Sequence, residues 1–444
     1  MISSLSKSAF LAAASFGLAA CSAFDFFGDT PKDQLPGKRI AILVEMSALK
    51  PDERESPVEI LLPAPTSNSE WPQAGGYANH AMHHIRVGDG ISRAWTTSVG
   101  AGSDEEERLN TQPILANGRL YTMDAETMVS AFDAQTGRRQ WSVDLTPKEE
   151  KGEGHIGGGL AYDRGRVFVT TGFAEVLALD AANGQVQWRR NIGEPMRAAP
   201  TARGNRVFVV TLTNQLLALS AVTGETLWSY SAIEETTNLL GAASPAVESG
   251  VVVAGFTSGE LVALRVENGR ELWSDSLTVA RRASSIATLA AIRGRPVIDR
   301  GIVLAISNSG LMVAVDLRSG RRIWEREIAS VESPWVAGDF VFVLSSNAEL
   351  AAVGRRDGRI HWVTALPLWE DPEDREGRIT WTAPILVSDR LIVAGSTGEA
   401  ISVSPYTGQI LGVEEMPDKV SIPPIVANDT IYFLSDDGDL VAYR

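Results

Sequence analysis

A single cysteine, Cys21, stands in 444 residues, so no internal disulfide can form. Positive charge is also in deficit. Forty Lys and Arg face 55 Asp and Glu, leaving a net charge of −15. That balance argues against nucleic acid as a partner, since phosphate binding wants a basic face, and against a polybasic grip on anionic lipid. Long apolar runs are missing too. The alanine-rich stretch Ala9–Ala20 is too short to span a bilayer and has the dimensions of a signal-peptide core behind Lys7. Hydrophobic content of 44% with 21% charged residues is nonetheless that of a folded globular chain.

What the chain has is a repeat. The run VSAFDAQTGRRQW, Val129 to Trp141, returns as VLALDAANGQVQW to Trp188, LLALSAVTGETLW to Trp228, LVALRVENGRELW to Trp273, MVAVDLRSGRRIW to Trp324 and LAAVGRRDGRIHW to Trp362. The tryptophan stands four residues after the turn glycine each time: Gly137, Gly184, Gly224, Gly269, Gly320 and Gly358. A seventh copy keeps its turn at Gly408 and has Gly412 in the tryptophan slot. Successive turn glycines are 38 to 51 residues apart, a period that signals one supersecondary unit per copy. Each copy extends backward through two more short runs rich in Val, Ile, Leu and Phe, bounded by Gly, Asn, Asp or Ser, the pattern of strands and hairpins. Asn117-Gly118 fits a tight turn with positive φ.

Each unit therefore reads as four antiparallel strands in meander order, with the tryptophan on the fourth. Such a small sheet cannot bury its faces alone, and stacking around an axis gives a propeller. The tryptophans are expected as core plates between blades. The last copy supplies three strands, up to Arg444. The missing fourth is expected from Ile91–Thr97, which carries its own Trp95. An amino-terminal strand completing the last blade removes two open edges. The expectation is all-β: an eight-bladed β-propeller of four-stranded antiparallel blades, the last closed by an N-terminal strand.

Upstream, Leu18-Ala19-Ala20-Cys21 resembles the bacterial lipobox. That resemblance implies cleavage before Cys21, a diacylglyceryl group on its thiol and acylation of the new amino terminus. Several acyl chains anchor stably where one binds marginally. Ser22 resembles the residue following the cysteine in outer-membrane lipoproteins. Residues 1–20 are thus expected as a lipoprotein signal peptide, 21–69 as a proline-punctuated tether, and 70–444 as the propeller. Within the tether, the apolar stretch Arg39–Val44 is expected to dock on the folded body as a short strand, with ordering on a partner as the alternative.

The six-fold turn-and-tryptophan motif, the eight copies, the WPQAGG segment at Trp71 and the lipobox together resemble the BamB family, lipoproteins of the outer-membrane β-barrel assembly machine. The repeat motif itself is shared with the wider pyrroloquinoline-quinone-like propellers. The resemblance implies a non-enzymatic scaffold without cofactor or metal, facing the periplasm. Its implied partners are the POTRA domains of BamA, other subunits of the machine and unfolded outer-membrane protein clients. The family's contact with BamA lies on loops entering two middle blades. The matching segments here are Thr237–Gly241 and Leu289–Arg293, which points to Leu239, Leu240 and Arg293. Leu240 replaces a common arginine, and the acidic pair of the second loop is missing.

Other candidate chemistry reads as structure. Gly152, Gly154 and Gly157 match a dinucleotide fingerprint in letters, but no strand precedes and no helix follows. His80, His83 and His84 lack a fourth metal ligand in the pattern and read as solvated loop. Asp436–Asp439 resembles a calcium loop without its distal glutamate and occupies a blade turn. The acidic runs Asp104–Glu107 and Glu370–Glu376 read as solvated loops. A quinone-dependent dehydrogenase uses the same blade motif, but commonly adds a vicinal cysteine pair that one cysteine cannot supply. A generic lipid-anchored propeller holding a peptide or polymer is the third reading.

Overall fold

The computed structural model describes residues 48–53, 59–88, 92–104, 107–148, 157–234, 242–278 and 290–444. They form eight four-stranded antiparallel sheets in a ring, as expected, and one further hairpin. In the first blade the strands are Ile114–Ala116, Arg119–Met123, Met128–Asp133 and Arg139–Asp144, counted from the axis outward. The innermost strands of the next six blades are Gly159–Asp163, Thr201–Arg203, Ala246–Glu248, Val297–Asp299, Trp335–Ala337 and Ile385–Val387. The eighth blade takes Ile425–Ala427, Thr430–Leu434 and Asp439–Tyr443 from the end of the chain and Arg93–Ser98 from its beginning. Trp95 pairs with Ala442 there, and Ser92 and Arg444 exchange backbone hydrogen bonds of 2.6 and 2.9 Å.

The second and third strands of each blade are packed on both faces, which is why they read as unbroken apolar runs. Tyr121 and Val129 of the first blade share a core with Leu160, Val167 and Leu177 of the second. Val253 and Leu261 of the fourth share one with Val303 and Val313 of the fifth. Each such buried aliphatic side chain contributes roughly 1.5–3 kcal/mol relative to its exposed state.

The tryptophans sit on the outer strands, each opposite a small residue. Trp141 faces Ala131, Trp188 faces Ala178 and Trp228 faces Ala218, beside a bulge that re-aims the ring. The indoles do pack blade on blade, but at the outer seam, and those of Trp95, Trp141, Trp188 and Trp228 are only half-buried. Each lies over the turn glycine of the following blade: a Cβ on Gly184 would stand 2.6 Å from Cε3 of Trp141, and one on Gly137 2.6 Å from Cε3 of Trp95. In the six repeat copies the indole N–H donates to the same turn, as from Trp188 to the Ala221 carbonyl (3.1 Å) and from Trp324 to that of Arg355 (2.8 Å), whereas Trp95 Nε1 has no partner. The turn is held by its own aspartate. Asp133 Oδ1 accepts from the amides of Gln135 and Thr136 and from the Thr136 hydroxyl.

The seventh blade shows why its tryptophan is missing. The third and fourth strands of the eighth blade are not consecutive in sequence, so no glycine turn joins them for an indole to cover. Gly412 has open space at its Cβ position, and Ile410, Leu411 and Val413 beside it are exposed.

The acidic run Glu370–Glu376 corrects one expectation. It belongs to a hairpin, Trp369–Asp371 paired with Glu376–Arg378, rather than to an unstructured loop. Asp436–Asp439 is a blade turn, as read. Residues from Ala48 onward belong to the same compact unit as the ring, so the stretch taken as tether up to Ser69 contributes its final part to that unit. The Asp52 amide donates to the Ile360 carbonyl (2.9 Å), and Ile60 is buried. Cys21, Arg39–Val44, Gly152 and Gly154 lie outside the described residues.

Candidate functional site: a plugged axis and the basin above it

The inner edge of every innermost strand would leave peptide groups unpaired around the axis. The segment Asn68–Val87 satisfies them by threading around the hub. Asn68 Nδ2 donates to the Val426 carbonyl of the eighth blade (2.8 Å). Trp71 exchanges backbone bonds with Leu115 of the first (2.7 and 2.8 Å), and Pro72 accepts from Tyr162 of the second (2.7 Å). The Gln73 amide pairs both ways with Ala202 of the third, at 2.8 and 3.0 Å. Ala78 accepts from Val247 of the fourth (2.6 Å) and Asn79 from Ile298 of the fifth (2.9 Å). The His83 carbonyl accepts from Trp335 Nε1 of the sixth (2.8 Å). Ile85 bridges Leu386 and Ser388 on the seventh. One segment thereby touches all eight blades and closes the axis as a plug. Its Trp71 is fully buried and stacks on Trp335 at 6.2 Å.

The histidines belong to this plug and not to a solvated loop as the sequence suggested: His80 and His84 are buried. His80 is buried, with Nδ1 2.7 Å from the Pro296 carbonyl and Nε2 without a partner. Burial, with the Arg295 cation nearby, pushes its pKa down to about 3. His84 has one ring nitrogen on the Pro63 carbonyl and the other on that of Ser388. No group of three metal-ligating side chains comes together among the described residues.

Above the plug lies a basin of about 260 Å³ on the ring axis. Its floor includes Ala74. Its walls are the loops that enter the innermost strands. Four arginines converge on it: Arg108 before the first blade, Arg197 before the third, and Arg293 and Arg295 before the fifth. Arg108 and Arg293 are exposed at the lip, and Arg197 and Arg295 are half-buried. Arg295 lies against the plug turn, where a Cβ on Gly75 (φ +80°) would stand 2.8 Å from its Nε. That Nε is buried and has no hydrogen-bond partner. Among the described residues none of the four arginines forms an ion pair. The two carboxylates in the wall are engaged elsewhere. Glu332 accepts from the Ala383 amide (3.0 Å), and Asp436 accepts from the amide and hydroxyl of Ser421 (3.1 and 2.8 Å). Burial raises the pKa of Glu332 against the opposing pull of Arg293 and Arg295, and raises that of Asp436. The basin is thus a positive site on a chain of net charge −15.

Of the residues singled out from sequence, Arg293 lies at this lip. Leu239 and Leu240 lie outside the described residues. The plug and the other three arginines were not singled out. Their only signal in sequence is an arginine in several of the loops that precede a Pro-led inner strand.

Comparison with known proteins gives a consistent relationship. The family described as "Outer membrane protein assembly factor BamB" matches over residues 92–151 and 125–364. The proteins of that name from Shigella dysenteriae and Escherichia coli K12 are each 31% identical over 349 residues, covering 78% of this chain and 86% of theirs. Among solved structures, BamB from Moraxella catarrhalis superposes with a TM-score of 0.65 at 20% identity, over 80% of this chain and 98% of that one. A europium-containing methanol dehydrogenase superposes with 0.66 at 12% identity, over 84% and 98%. Both likenesses are of fold.

Proposed function

This chain belongs to the outer membrane protein assembly factor BamB family, and from that premise we propose that it is a lipid-anchored, non-enzymatic scaffold of the machine that inserts β-barrels into the outer membrane. The observation that carries the proposal is the 31% identity to the assembly factors over 349 residues, 78% of this chain and 86% of theirs. The rigidity of the ring supports it. Blades that share cores hold the loops on one face in fixed mutual geometry, which is what a positioning subunit requires.

In this reading Cys21 carries the acyl chains and holds the protein at the periplasmic side of the outer membrane. The loops Thr237–Gly241 and Leu289–Arg293 contact the POTRA domains of BamA. Leu239 and Leu240 supply apolar contact, and Arg293 supplies a cation where the family pattern has acidic groups. Unfolded outer-membrane proteins are clients met on the assembled machine. A dehydrogenase role is disfavoured by the lone cysteine.

Affinity capture from envelopes after mild detergent extraction tests the proposal. The barrel-assembly subunits are expected to co-purify. The double substitution Leu239→Asp with Leu240→Asp is expected to lower their recovery roughly tenfold or more, because a charge placed in an apolar contact is costly to desolvate. Recovery that does not change removes these leucines from the contact, and a capture without assembly subunits overturns the scaffold role.

A further inference from the structure

We infer that the axial basin is a docking site for an acidic segment of a protein partner, received as carboxylate side chains between Arg108, Arg197, Arg293 and Arg295. The inference rests on the geometry of the basin and not on the assembly reading. Four arginines from the loops of three different blades meet there, and none is neutralised within the described residues. Arginine is a planar donor matched to carboxylate, and charge-assisted bonds of this kind are the strong ones. Assembling such a cluster is unfavourable by like-charge repulsion unless an anion completes it. Among the described residues the basin wall offers the carboxylates of Glu332 and Asp436, each already accepting hydrogen bonds from other groups.

Size selects the kind of ligand. At about 260 Å³ the basin falls below the ~300–1,000 Å³ of sites that enclose drug-sized molecules. It admits the tip of a segment rather than a cofactor. Depth selects it again. Two arginines stand at the lip and two lower down, so a chain entering along the axis meets cations on successive carboxylates. The plug turn at Gly75 leaves room for Arg295, since a side chain there would displace its guanidinium. The surrounding acidic surface repels an acidic partner everywhere else, which confines binding to the axis.

Fluorescence anisotropy of the purified full-length protein in mild detergent tests this, with a fluorescein-labelled peptide containing a run of aspartates. Saturable binding is expected, weakening with added salt. Arg197→Gln and Arg293→Gln are each expected to weaken it by roughly tenfold. Arg138→Gln, in a turn on the opposite ring face, is expected to leave it unchanged. Glu332→Gln keeps an acceptor for the Ala383 amide and removes a competing charge, so it is expected to tighten binding several-fold. A gain of that kind cannot come from misfolding. Binding indifferent to Arg197→Gln and Arg293→Gln, an equally bound lysine peptide, or weakening by Glu332→Gln overturns the inference. Citrate or inorganic phosphate binding as tightly as the peptide also overturns it, in favour of a free anion. Peptide binding with no co-purifying assembly subunits leaves this site standing and breaks the scaffold role alone. Intact co-purification without peptide binding does the reverse.

Discussion

Glycine and tryptophan four residues apart look like partners in the sequence, and they never meet. The contact runs between repeats: Trp141 covers Gly184, Trp188 covers Gly224, Trp324 covers Gly358. The spacing was legible because the same gap recurs at every seam. The pairing was not, because it links residues about forty positions apart. Gly184 answers two demands at once, a φ of 76° and an indole at van der Waals distance. Gly184→Ala is expected to cost the ~1–3 kcal/mol of left-handed strain plus the displacement of Trp141. Gly204→Ala, with a φ of 62° and open space, carries the strain alone. Denaturant midpoints of the two variants should differ, with Gly184→Ala the lower; equal midpoints would mean the indole yields freely.

The hub segment is the element that sequence reading placed least well. Asn68–Val87 has no strand period and no repeat, since each of its bonds goes to a different blade and is set by the circumference of the ring. Its buried His80 makes the element sensitive to acid. The folded-state pKa of about 3 lies below the ordinary ~6.5 of an unfolded chain. The unfolded state therefore takes up a proton first, and stability is lost as pH falls from about 6.5 towards 3, by at most ~1.4 kcal/mol per pH unit. Above that window the effect is absent. Asp133 and Asp316 work in the same direction at lower pH, because hydrogen bonds from Thr136 and Ser319 hold their carboxyls below the usual range. His80→Gln is expected to flatten the slope of unfolding free energy between pH 6.5 and 4. An unchanged slope would show that His80 is not the group responsible.

At the scale of the whole molecule, blade number and closure were readable from the chain. The copies could be counted, and Trp95 advertised the spare strand. The basin was not readable, since Arg108, Arg197 and Arg293 sit in three different loops that converge only once the ring is drawn. Nor was the reason for Gly412, which depends on a turn that the eighth blade does not have. Closure carries its own test. Removing Asp439–Arg444 takes away the strand that pairs with Arg93–Ser98 and holds Trp95 beside Tyr432. The truncated protein is expected to lose its single cooperative unfolding transition and to be nicked near Ser92 by limited proteolysis, whereas a transition at the parent temperature would show that the ring holds without its clasp.

That clasp also sets a timetable. The hub segment and the clasp strand precede every complete blade in the chain, yet their hydrogen-bonding partners are spread through it to Arg444. Seven sheets can form locally as they emerge, each from consecutive residues, while the earliest stretch must wait unsatisfied for the latest. Maturation of this protein is therefore governed by its slowest, most distant reunion, and any chaperone that attends it is needed longest at the leading end.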